Sequence, residues 1–94
     1  MKSHLPKLKD EQLAKFKELL ENHHTWPTDY IFKFIVPAEK INEVKALFPN
    51  HKVSVRESSR GNYVALTVSI WALNADLVIA IYQQASEIED LISL

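Results

Sequence analysis

Cysteine is absent from this chain, which excludes a disulfide framework and a thiolate zinc site. Glycine occurs once, at Gly61, so only one position can take a positive φ without steric cost. No apolar run approaches the ~18 residues that a membrane helix requires. The opening Met1-Lys2-Ser3-His4-Leu5-Pro6-Lys7 also lacks the apolar core of a signal peptide. A cytoplasmic protein off the membrane is therefore expected. Neither sign of charge dominates: the formal net charge of −1 leaves no basic field to draw the chain toward nucleic acid or anionic lipid.

What is present is the composition of an ordinary globule, 47% hydrophobic and 24% charged. Its 94 residues suffice for one core. Asp10 is placed to cap a helix over residues 11–22. Within it Leu13, Phe16 and Leu20 form an apolar stripe that Leu19 widens, opposite Lys15, Glu18 and Asn22. The stripe must be buried on something, in this domain or on a neighbour. Asn22-His23-His24-Thr25 ends the helix, and Trp26-Pro27 blocks its continuation.

From Asp29 to Val36 the pattern is that of a strand. Tyr30, Phe32, Phe34 and Val36 share one face, and Ile31, Lys33 and Ile35 the other. Two largely apolar faces suit a central strand. Pro37 then opens a helix through about Phe48, with Ile41, Val44, Leu47 and Phe48 inward and Lys40, Glu43 and Lys45 outward. Pro49 ends it. Residues 51–56 read as a short strand with Val53 and Val55 on one side. In the next strand Val64, Leu66, Val68 and Ile70 alternate with Ala65, Thr67, Ser69 and Trp71. Asn74 caps a last helix with Leu77, Val78, Ile81, Tyr82, Ala85 and Ile88 inward, and residues 91–94 can form one edge strand.

The order after residue 28 is strand, helix, strand, strand, helix, strand. Two such helices can cover one face of a four-stranded antiparallel sheet. The expectation is thus an α+β, ferredoxin-like βαββαβ sandwich with strand order 4-1-3-2. Residues 1–25 form an additional N-terminal helix and linker, and residues 26–94 the sandwich.

Two stretches resemble a known family. One is Trp26-Pro27-x-Asp29-Tyr30 leading into the first strand. The other is Val55-Arg56-x-Ser58-Ser59-x-Gly61-Asn62-Tyr63 running into Leu66-Thr67-Val68. Together they resemble the YbeD-like family of small bacterial proteins of unknown function, over about residues 26–94. The resemblance implies a ferredoxin-like fold similar to ACT-type regulatory domains, which commonly bind amino acids at subunit interfaces and control attached enzymes. Where those domains carry a glycine between first strand and first helix, this chain has Pro37-Ala38.

Two candidate sites follow. In the turn, Arg56, Ser58, Ser59, Arg60, Gly61 and Asn62 could converge guanidinium groups, hydroxyls and amides on a phosphate, a carboxylate or an amino-acid-like ligand. The same residue types also explain a hairpin connection with no ligand, Gly61-Asn62 supplying positive φ. The second site is the sheet face opposite the helices, where Ile31, Ile35, Tyr63, Ala65 and Trp71 would lie together. Either the N-terminal helix covers it with Leu13, Phe16 and Leu20, or a partner does, a second subunit included.

Other chemistry finds less footing. Arg60-Gly61-Asn62-Tyr63-Val64 has the opening of an RNA-recognition motif. However, Asn62 and Val64 stand where that motif has aromatics, which disfavours nucleic acid. His23-His24 has no third metal ligand at helpful spacing, no cofactor motif is present, and Glu87, Glu89 and Asp90 read as a solvated loop cluster. Ser58 and Ser59 lack an identifiable base. The expectation is a non-enzymatic regulatory or interaction module. A small-metabolite enzyme with its site at a dimer interface is the alternative.

Overall fold

The computed structural model of the protein describes residues 10–57 and 61–94. Its elements are α1 (Asp10–His23), β1 (Thr28–Pro37), a 3-10 turn (Ala38–Lys40) leading into α2 (Ile41–Lys45), β2 (Ser54–Glu57), β3 (Tyr63–Ala72), α3 (Ala75–Ala85) and β4 (Ile92–Ser93). The strands form one sheet in the order β2-β3-β1-β4 with antiparallel pairings throughout, which is the expected 4-1-3-2 read from the other edge.

The two long strands make the frame. All ten residues of β1 pair with β3, from Thr28 opposite Ala72 to Pro37 opposite Tyr63. Since side chains alternate along a strand, this register fixes both faces at once. Phe32, Phe34 and Val36 are buried with Val64, Leu66, Val68 and Ile70 under the helices. Beside them Phe48 brings its ring 5.4 Å from Phe32, and Val44, Val78, Ile81, Ala85, Ile88 and Leu91 complete the core. No charged or polar residue is buried among the described residues.

Several local expectations need correction. The helix after β1 does not run to Phe48. It shrinks to five α-helical residues between a 3-10 turn and a tightened end, where Leu47 and Phe48 donate to the Val44 and Lys45 carbonyls. Pro37 is the last paired residue of β1, and Asp10 already lies within α1 rather than capping it. Strand β2 begins at Ser54, not at residue 51, because Val53 turns into the core from the preceding loop. Val55 pairs with Leu66 on the helix side yet stays 42% exposed, since five-residue α2 leaves β2 uncovered. Leu19 and Leu77 are exposed rather than inward, and Ile79 is buried instead.

Helix α1 lies on the helix side of the sheet, against α3. Leu20 is buried in the core, and Leu13 and Phe16 pack at its margin. The Phe16 ring sits 5.7 Å from that of Tyr82. Lys17 bridges to Asp76 at 3.2 Å in the first turn of α3. The alternative in which this helix covers the opposite sheet face is thus overturned.

Candidate functional site

The bare face of the sheet is the surface that the fold sets out most distinctly. Register places Asp29, Ile31, Lys33 and Ile35 of β1 on it, beside Trp71, Ser69, Thr67 and Ala65 of β3 in that order. Tyr63 continues the β3 row opposite Pro37. Ser54 and Arg56 flank Thr67 and Ala65 from β2, and Ile92 flanks Ile35 from β4. The Leu94 amide donates to the Lys33 carbonyl at 2.9 Å and carries this ladder one residue further.

Apolar surface is concentrated here. Ile31 is 55% exposed, Trp71 59% and Leu94 69%, with Tyr63 at 38%. The next residues along the same strands, Phe32 and Ala72, are fully buried. Such contrast between neighbours arises only where one sheet face is packed and the other is not. The two central strands supply the platform, and Asp29, Lys33 and Arg56 supply its charge.

The residues singled out for a partner surface therefore divide. Ile31, Ile35, Tyr63 and Trp71 come together on the open face, whereas Leu13, Phe16 and Leu20 lie across the sheet beneath α3. Ile92 and Leu94 join the first group unforeseen. Their face depends on the pairing of Ile35 with Ile92, and a two-residue strand carries no alternation to reveal it.

The candidate anion cradle is only partly in view. Ser58, Ser59 and Arg60 lie outside the described residues. Arg56 is exposed on the open face, and Gly61 adopts φ +85°, a conformation that favours glycine. Asn62 is exposed, and its carbonyl accepts the Ala38 amide at 2.7 Å, tying the turn to the end of β1.

One polar arrangement at the margin of the core was not foreseen. The Tyr30 and Tyr82 hydroxyls are 3.0 Å apart, joining β1 to α3. Burial, reinforced by the Tyr30 hydrogen bond, pushes the Tyr82 phenol far above its ordinary value, while a hydrogen bond with Ser93 works weakly the other way. Strand alternation assigns Tyr30 inward, but pairing it with Tyr82 needs the helix docking. The His24 ring packs, tilted, 5.4 Å from Trp26 and 5.5 Å from Tyr30. Among the described residues no three His, Cys, Asp or Glu groups cluster as metal ligands would, and no helix is long and apolar enough to cross a membrane.

A protein-family model described as a protein of unknown function (DUF493) matches residues 21–93. No curated protein and no solved structure matches the chain.

Proposed function

The chain belongs to the DUF493 family, the YbeD-like proteins of unknown function, and from that premise we propose that it is a non-enzymatic interaction module of the cytoplasm. Its working surface is the open sheet face. One observation carries this reading: Ile31, Trp71, Tyr63 and Leu94 are exposed on one hydrogen-bonded sheet face, which none of the described helices covers. Contiguous apolar surface of this kind is costly to leave in water and typically meets a protein partner. The proposal extends to a regulatory role, in which the module acts by occupying its partner.

The test is photo-crosslinking in the cell, with a benzophenone amino acid placed at Trp71, Ile31 or, on the far side of the molecule, exposed Glu18. Adducts are expected from positions 71 and 31 and not from 18. No adduct from the sheet positions, or equal adducts from all three, overturns the reading.

A smaller part of the proposal concerns Arg56 and the turn that ends at Gly61-Asn62. An anionic metabolite with a phosphate or carboxylate group is the ligand class its charge and amides suit. NMR titration with inorganic phosphate and with carboxylates is expected to shift the Gly61 and Asn62 amides and the Arg56 side chain selectively. Unmoved signals throughout would remove the ligand and leave the sheet surface standing.

A further inference from the structure

The open face is complementary to itself, and we infer that its partner is a second copy of this chain, stacked sheet to sheet about a two-fold axis at Ile31. This inference rests on the interaction reading above and gives that surface an occupant. Its basis is the charge pattern along β1. Asp29, Ile31 and Lys33 occupy successive positions on the open face, so opposite charges stand at equal distances on either side of an apolar centre. At a strand rise of roughly 3.3 Å per residue, each lies about 7 Å from Ile31.

Consider a two-fold axis lying between two stacked sheets and crossing β1 at right angles at Ile31. It places Ile31 on its own copy, Asp29 opposite the second copy's Lys33, and Lys33 opposite the second copy's Asp29. Two reciprocal ion pairs then flank one apolar contact, as an isologous interface requires. The neighbouring strand follows. Trp71 is paired with Asp29 and Thr67 with Lys33, so each Trp71 covers the second copy's Thr67, and Ser69 meets Ser69. Leu73, 64% exposed just past the end of β3, falls toward the second copy's Ala65. The bulky Trp71 and Leu73 of each copy thus lie over the smaller Thr67 and Ala65 of the other.

Other registers do not achieve this. An axis at Lys33 sets lysine on lysine, and an axis at Asp29 sets aspartate on aspartate. An axis running along the strands puts Asp29 opposite Trp71 and Lys33 opposite Thr67, which leaves both charges unpaired. Packed sheets sit ~10 Å apart with their strands turned by about 30°. So close to the axis that turn displaces Asp29 and Lys33 by only about 3–4 Å, within reach of the lysine stem. Association through this one sheet face is expected to be weak and reversible.

Charge exchange in the full chain tests the register. Sedimentation is expected to show a monomer–dimer equilibrium for the wild type. Asp29→Lys and Lys33→Asp should each weaken it at least about tenfold, because like charges then oppose one another. Mixing the two variants should restore a heterodimer, since every lysine again faces an aspartate, and the double exchange D29K/K33D should dimerise by itself. Both rescues would establish the stacking. Wild-type chain that stays monomeric overturns self-pairing, as does a dimer indifferent to both single exchanges. Failure of self-pairing is separable from failure of the interaction reading. Crosslinked adducts at position 71 of a mass other than twice the chain overturn the first alone, and no adducts at all overturn both.

Discussion

The side-chain oxygen of Asn74 accepts the Leu77 amide proton at 2.9 Å, and so satisfies one of the donors that the first turn of α3 leaves unpaired. Asn74→Ala is expected to cost about 1 kcal/mol in urea unfolding, and Asn74→Asp to cost little, since a carboxylate oxygen accepts the same proton. The tyrosine pair gives a pH-dependent counterpart. Because burial holds the Tyr82 proton more tightly in the folded chain than in the unfolded one, its contribution is complete below the ordinary phenol value near 10. That contribution is lost as the pH rises above that value. Stability measured across the alkaline range is expected to fall less steeply in Tyr82→Phe than in the wild type. Equal slopes would show that the Tyr82 phenol ionises alike in both states.

Helix α1 shows which contacts hold an element in place. Most of it precedes the residues that the family model covers, yet Leu20 is 6% exposed and sits in the common core. Two kinds of contact tie it down: apolar side chains, and the Lys17–Asp76 bridge, whose partners are both well exposed. Magnitudes separate them. Truncating a buried leucine removes transfer energy and leaves a cavity, so Leu20→Ala is expected to cost about 2–4 kcal/mol in chemical denaturation. A bridge in solvent is screened and entropically costly, so Lys17→Ala should cost less than about 0.5 kcal/mol. The stripe that makes Leu20 inward was legible, because a period of 3.6 identifies one face of a helix. Its destination was not, because the same stripe fits either side of a sheet. The shortness of α2 and the late start of β2 escaped for a similar reason. Ile41, Val44 and Phe48 keep helical spacing even though the chain tightens at Ala46 and leaves the α-helix. The core was thus easier to read than the path of the backbone between its members.

At the scale of the whole molecule, the sheet has one packed face and, among the described residues, one bare face. That division was readable from alternation in β1 and β3, and so was the Ile31, Ile35, Tyr63 and Trp71 group. Whether the bare face would stay bare was not readable, since it depended on where α1 docked. The β4 contribution of Ile92 and Leu94 waited on a register that two residues cannot announce. The division makes a sharp claim about two consecutive residues. Phe32 has no exposed surface and its ring packs among those of Tyr30, Phe34, Phe48 and Tyr82, so Phe32→Ala is expected to cost about 3–5 kcal/mol. Ile31, one residue earlier on the same strand, keeps 55% of its surface in water. In dilute solution Ile31→Thr should therefore alter unfolding free energy by no more than about 0.5 kcal/mol, because it creates no cavity and keeps a β-branched residue in the strand. The same substitution should weaken self-association, since it removes the apolar group at the axis. A variant as stable as the wild type yet less associated would place Ile31 at an interface; one that unfolds easily would mean this face is covered by the chain itself.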